Sequence, residues 1–390
     1  MTYPAGVLLA AAFDPYLDGR RELTVLFRPD DRTSLSSYTW TRNHLILVTI
    51  TDVRTRLHVL TPDASGWRRQ PMAGGAEFDD TRIVDTDPDN DDSYLISSDG
   101  FLQPATLGLG TVGGEVTILK RESAFFDADG MAVRQFFAVS ADGTRVPYFV
   151  VGAASAGPTI LTGYGGFEVT MTPDYSGVIG RGWLARGGTY AVANIRGGGE
   201  YGPGWHRAAQ RENRIKAFED FAAVAADLVS RGITTPERLG IEGGSNGGLL
   251  MGVMLTRYPT LFGAVVAMVP LLDMRRYTKL LAGASWIAEY GDPDDEADWA
   301  YLRDFSPYHN VRPGRPYPPA LFITSTRDDR VHPGHARKMA ALLRRHGYDV
   351  SYYENVEGGH GAAADNAQAA TNWALTLEFF WRKLNPATQW

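Results

Sequence analysis

Gly243-Gly244-Ser245-Asn246-Gly247 decides how the rest of the chain is read. Its spacing is G-x-S-x-G, in which a serine sits on a strained turn between a strand and a helix. Glycine is needed on both sides because a Cβ there would clash where the backbone turns so sharply. The flanks agree. Arg238-Leu239-Gly240-Ile241-Glu242 reads as a short buried strand, and Leu249, Leu250, Met251, Val253 and Met254 follow as an apolar helix. The chain has 43 glycines, so the bare pattern arises easily by chance. The strand before it and the helix after it are what make Ser245 a candidate nucleophile.

A serine hydroxyl is a weak nucleophile at neutral pH. It needs a base to take its proton and a carboxylate to hold that base. In α/β-hydrolases the order along the chain is serine, acid, histidine. Ala320-Leu321-Phe322-Ile323-Thr324 reads as a buried strand running into Ser325-Thr326-Arg327-Asp328-Asp329-Arg330. A second strand, Val350 to Val356, runs into Glu357-Gly358-Gly359-His360-Gly361. Open α/β sheets keep their sites at the carboxyl ends of strands. The chain has 8 histidines that compete for the role of base. His44 and His58 lie far upstream in a strand-rich region, and no strand feeds His206 or His309. His332 and His335 form an H-x-x-H pair at the start of a helix and, with no third ligand nearby, read as surface or capping residues. His346 sits near a helix end and reads as solvent-facing. Only His360 satisfies both chain order and loop context.

At 390 residues the chain is long enough for two domains with sizeable cores. The net charge of −7, without a basic block, argues against a nucleic-acid partner. There is no cysteine, which excludes disulfides, thiolate metal sites and a cysteine nucleophile, and which fits a reducing, cytoplasmic compartment. The stretch from Met1 to Phe13 is apolar but lacks a basic start, so it reads as a strand rather than a signal peptide. No run approaches the length of a membrane span. No metal or organic cofactor is implied.

Two regions differ in texture. Residues 1–124 show short strands and many turns with little helical periodicity. Leu45–Ile50 and Arg56–Leu60 read as an antiparallel pair, and so do Tyr94–Ser98 and Ala105–Leu109. A recurrence of about 50 residues is a signature of propeller blades, with a plain β-sandwich as the alternative. Over residues 125–390 strands alternate with helices, which argues for an α/β domain built on a mostly parallel sheet. Ala217 to Ser230 is an amphipathic helix with Phe218, Phe221, Val224 and Leu228 on one face. Gly197-Gly198-Gly199-Glu200-Tyr201-Gly202 satisfies G-x-G-x-x-G after a strand, but a dinucleotide fingerprint must open a helix. Pro203, Gly204 and Trp205 follow instead, so these glycines read as a tight loop beside the site.

Several of these segments together resemble the prolyl oligopeptidase family of serine peptidases. They are Gly163-Tyr164-Gly165-Gly166-Phe167, Ala193 to Gly202, Gly243 to Gly248, Tyr290-Gly291, Ser306 to Asn310, Asp328-Asp329-Arg330-Val331 and Gly359-His360-Gly361. The resemblance covers the whole α/β region and, more loosely, the β-rich one. It implies an α/β-hydrolase catalytic domain preceded by a partial β-propeller of about three blades, too few to close a ring. It makes Ser245 the nucleophile, His360 the base and Asp328 the orienting acid, with Asp329 as the rival. It gives the oxyanion to the Tyr164 hydroxyl and the Asn246 backbone N–H. Arg330 would hold a substrate carbonyl. Trp286 would stack on a substrate proline, with Phe167, Tyr290, Val331 and Leu271 closing the pocket; a core aromatic is the plainer reading of Trp286.

The resemblance thus implies an endopeptidase acting on short peptides after proline, with self-association through open propeller edges. Three alternatives stand beside it. The first two are a broader oligopeptidase, for which Glu289 would attract a basic side chain, and an acyl-peptide hydrolase. The third is a shortened, inactive remnant acting as a binding protein.

Overall fold

A computed structural model describes residues 2–64, 66–153 and 155–385. They divide into two units. The first holds residues 1–125 together with Thr172–Ser176 and Gly199–His206, and the second holds the remainder.

The first unit is all-β apart from short helices. Strands β1 (Leu8–Ala10) and β2 (Thr24–Phe27) pair as a ribbon. Strands β3 (Thr33–Trp40), β4 (Leu45–Thr51), β5 (Arg54–Asp63) and β6 (Gly66–Met72) form one antiparallel sheet in chain order. Strands β7 (Asp79–Thr86), β8 (Ser93–Gly100), β9 (Gln103–Thr111) and β10 (Thr117–Arg121) form another in the same way. Ile46, Val48 and Leu57 of the first sheet pack against Tyr94 and Ile96 of the second. The apolar start is less of a strand than its composition suggests. Only Leu8–Ala10 is extended, and Phe13–Leu17 is a short helix in which Pro15 sits in the first turn, where its missing N–H costs nothing. Met1 lies outside the described residues.

The second unit is built on a mixed sheet. Its strands are β11 (Ala132–Val139), β12 (Arg145–Gly152), β13 (Thr159–Gly163), β14 (Thr189–Ala193), β15 (Leu239–Gly244), β16 (Ala264–Met268), β17 (Ala320–Ser325) and β18 (Val350–Asn355). They lie in the order β11-β12-β14-β13-β15-β16-β17-β18. From β14 to β18 every pairing is parallel. A parallel strand is covered on both faces, so its residues are nearly all apolar or small. Ala264–Met268 and Ala320–Ser325 follow that rule.

Helices cover the sheet as their sequences dictate. Ile215–Ser230 buries Phe218, Phe221, Val224 and Leu228, together with Asp220. Asn246–Arg257 is apolar all round and is buried along nearly its whole length. Among the described residues no helix is long and apolar enough to cross a membrane.

The parallel register aligns the carboxyl ends of five strands. Thr162 lies opposite Glu242, Gly244 opposite Met268, Met268 opposite Ile323, and Ser325 opposite Asn355. The loops leaving β13, β15, β16, β17 and β18 therefore start from one edge.

Candidate active site

Ser245 leaves β15 with φ 57° and ψ −115° and caps the helix Asn246–Arg257. Left-handed backbone at a non-glycine residue is strained and needs surrounding structure to enforce it. The Ser245 N–H donates to the Met268 carbonyl at 2.9 Å, and its own carbonyl accepts from Leu249 N–H at 3.1 Å. A Cβ on Gly243 would lie 2.7 Å from the Gly247 carbonyl oxygen, so only glycine lets the strand and helix meet this closely. The turn thus puts Ser245 at the start of a helix whose first N–H groups lack helical partners.

Asp328 follows β17 and is buried, while Asp329 beside it is exposed. The Asp328 Oδ1 accepts from the backbone N–H groups of Arg330 and Val331, both at 2.9 Å. His360 Nδ1 lies 2.9 Å from each Asp328 oxygen. Of the two acids, Asp328 therefore meets the imidazole. Asn355, the last residue of β18, holds the histidine loop. Its Oδ1 accepts from Glu357 N–H at 2.9 Å and Gly358 N–H at 3.1 Å. With Nδ1 turned to a carboxylate, the other ring nitrogen is left to serve as a base. Among the described residues no hydrogen bond joins His360 to Ser245. Ser245 and Tyr164 instead face the same cavity. Catalytic contacts in a substrate-free site are often open and tighten when substrate binds.

A cavity of about 310 Å³ opens beside Ser245. Tyr164, Asn246, Arg330, Trp286, Phe167, Tyr290, Val331 and Leu271 all line it. Val169 and Ser285 line it too, and nothing in their sequence context singled them out. Phe167 and Tyr290 meet edge to face at 5.6 Å between ring centroids. Trp286 is half-buried and packs against the core as well as lining the cavity. Burial pushes the Tyr164 phenol above its ordinary pKa, against smaller downward pulls from Ser245, Arg214 and Arg330, so the phenol stays protonated and can donate.

Behind the cavity lies a polar cluster that the sequence motifs did not reveal. Arg214, at the start of the helix Ile215–Ser230, is fully buried, and Glu289 is nearly so. Arg214 Nη1 donates to Glu289 Oε1 at 2.9 Å, and Nη2 donates to Asn246 Oδ1. Glu289 Oε1 also accepts the Phe167 N–H at 3.0 Å, and Oε2 accepts from Gln210 Nε2 at 3.2 Å. The expectation that Glu289 is free to attract a basic substrate side chain therefore meets a carboxylate already engaged by a guanidinium and two N–H groups.

Two other sequence expectations change. His335 is not a surface residue. It is buried, and its Nδ1 accepts from the N–H groups of Asp273 at 3.0 Å and Leu272 at 3.4 Å. His332 does cap locally, accepting from Gly334 N–H at 2.9 Å. Among the described residues no cluster could hold a metal ion. The glycine-rich segment after β14 is a loop, but Pro203, Gly204 and Trp205 do not continue it as expected: they begin a short helix, Pro203–Arg207. Arg196 within the loop is buried against Asp220, 2.6 Å away, and the Gly197 carbonyl accepts from Glu168 N–H at 3.1 Å.

Residues 180–387 match the family model described as the prolyl oligopeptidase family. The chain belongs to that family. An uncharacterized peptidase of Sinorhizobium fredii is 46% identical over 383 residues, which is 97% of this chain and 52% of that protein. A prolyl endopeptidase of Elizabethkingia miricola is 37% identical over 289 residues, 72% of this chain and 41% of that one. The solved structure of a post-proline cleaving enzyme from Rickettsia typhi superposes with a TM-score of 0.91 at 34% identity, covering 97% of this chain and 56% of its own. The second unit is thus the α/β-hydrolase domain of a prolyl oligopeptidase family member, and the meanders of the first belong to its propeller. The chain spans about half the length of the curated relatives it matches.

Proposed function

We propose that this chain is a serine peptidase that cleaves short peptides on the carboxyl side of proline. The observation that carries this reading is the cavity in which Ser245, Tyr164, Asn246, Arg330 and Trp286 meet, together with an Asp328–His360 pair that follows Ser245 in the chain order of an α/β-hydrolase. The proline ring lies between Trp286 and the Phe167–Tyr290 wall, and the flat apolar slot suits a rigid ring better than a long polar side chain. Arg330 donates to the carbonyl of the preceding residue; a guanidinium stays charged and donates in a fixed plane.

His360 takes the Ser245 proton as Oγ attacks the scissile carbonyl carbon. Negative charge grows on the carbonyl oxygen, where the Tyr164 O–H and Asn246 N–H donate to it. His360 then gives the proton to the leaving amine, the C–N bond breaks, and an ester on Ser245 remains. Water, deprotonated by the same imidazole, attacks the ester; the imidazolium returns that proton to Ser245 Oγ as the C–O bond breaks, releasing the peptide acid and restoring the free serine. Asp328 holds the imidazole in the required tautomer throughout.

Cleavage after arginine or lysine has less support, because Glu289 is engaged behind the wall rather than presented in the slot. Hydrolysis of a fluorogenic Gly-Pro amide beside an Arg amide tests the reading. The proline substrate should be turned over and the arginine one hardly at all, with Ser245→Ala inactive on both. Faster turnover of the Arg amide would overturn the proposed specificity.

A further inference from the structure

The Arg214–Glu289 pair has no part in the reaction steps above, yet it touches three segments that do. Arg214 is 1% exposed and does not line the cavity, so it cannot meet substrate. Among the described residues its Nε has no hydrogen-bond partner. A buried ion pair is weak evidence for stability, since packed apolar residues often do as well. An incompletely satisfied one is weaker still, which points away from stability and toward geometry.

That geometry converges on the Asn246 side-chain amide. Its Oδ1 accepts from two donors, Arg214 Nη2 and the Tyr290 hydroxyl at 2.8 Å. Burial holds the Tyr290 phenol protonated, well above its ordinary pKa, so it has a proton to donate here, and the Arg214 guanidinium can only donate. Two donors aimed at one oxygen fix which way the amide faces. The Nδ2 group must then point the other way, where it donates to the Tyr164 carbonyl at 2.6 Å. Three residues further on, Glu289 holds the Phe167 N–H at 3.0 Å. The segment from Tyr164 to Phe167 is therefore pinned at both ends by partners of one guanidinium. The fit is tight, since a Cβ on Gly166 would lie 2.6 Å from Asn246 Nδ2 and 2.9 Å from Arg214 Nη2. Only arginine can serve, because its planar fork reaches Glu289 and Asn246 at once, whereas a lysine ammonium is a single point.

We propose that Arg214 is a positioning residue for acyl transfer: through Asn246 it locks the Tyr164 segment, so that the phenol is aimed at the developing oxyanion before substrate arrives. The proposal rests on the serine-peptidase reading above and extends it to a residue that never touches substrate. Its consequence is specific. Loss of Arg214 acts on catalysis by misplacing Tyr164, so it has nothing further to remove once the Tyr164 hydroxyl is gone.

A double-mutant cycle on kcat reads this directly. Tyr164→Phe removes one oxyanion donor and should lower kcat about 100-fold. Arg214→Lys should lower kcat roughly 10- to 100-fold by misplacing that donor, with KM for the Gly-Pro amide nearly unchanged. The double variant should be no slower than Tyr164→Phe alone. Losses that multiply would overturn the positioning role and leave a merely structural one. Thermal melts report whether Arg214→Lys folds; if it does not, Asn246→Ala cuts the same link while leaving the ion pair, and the same non-additivity with Tyr164→Phe is expected. A Ser245→Ala control separates the two claims. Turnover that survives Ser245→Ala, or no turnover at all, overturns the peptidase reading and the Arg214 role with it. Turnover that depends on Ser245, combined with a multiplicative cycle, overturns the Arg214 role alone.

Discussion

The acid–base arm of the site and its oxyanion arm are held by different means. Asp328 and His360 sit on loops that leave neighbouring strands, and short-range backbone hydrogen bonds shape both. Asp328 accepts from the second and third residues after it, and Asn355 does the same for the loop that carries His360. The oxyanion arm is tied across long stretches of chain. Tyr164 is held by Asn246, Phe167 by Glu289, and both of those partners by Arg214. An arm shaped by local turns forms wherever its strand ends. One assembled from distant segments depends on every member of a buried cluster, so substitutions there act on the fold as well as on the chemistry.

The largest effect should come from breaking the local arm. Asp328→Asn keeps the shape but stabilises the wrong imidazole tautomer, so kcat on the Gly-Pro amide should fall about 10⁴-fold with an unchanged melting curve. A fall below tenfold would mean that His360 is oriented by something else. Breaking the distant arm should instead cost fold stability. Glu289→Ala leaves Arg214 charged, buried and unpaired, which should destabilise the chain by about 3–5 kcal/mol in urea unfolding. If Asp328→Asn destabilised as much, the contrast between the arms would fail.

This contrast also marks what was legible in the sequence. Ser245, Asp328 and His360 could be read because each follows a strand and sits among turn residues within a few positions. The pocket residues came from motif resemblance, because nothing local says that Leu271 and Trp286 share a cavity with Tyr164. Arg214 had no signal at all: it precedes an ordinary amphipathic helix, and its partners lie 32 and 75 residues away. His335 was misread for the same reason. An H-x-x-H at a helix start looks solvent-exposed until the loop after β16 folds down and aims two amide N–H groups at the ring.

That burial has a pH consequence on the pocket side. Desolvation pushes the His335 imidazole down to about 4 from an ordinary 6.5. The unfolded chain therefore binds a proton between pH 6.5 and 4 that the folded chain refuses, so stability falls as pH drops through that window. The integrated loss is about 3 kcal/mol. Urea midpoints at pH 7 and pH 4.5 should show it, and His335→Gln should flatten the dependence. An equally steep curve in that variant would assign the effect to other groups.

The smallest effect sharpens the pocket. Trp286→Ala should weaken turnover of a proline substrate more than of an alanine one, by about 0.5–1.5 kcal/mol, as expected for lost ring stacking. Equal losses on both would mark Trp286 as a scaffold residue.

The most direct test is to map the cuts in one short unfolded peptide carrying an internal proline and an internal arginine, by mass spectrometry of the products. Cleavage on the carboxyl side of the proline, absent with Ser245→Ala, is the expected result. Cleavage after the arginine, or cuts that persist without the Ser245 hydroxyl, would contradict it.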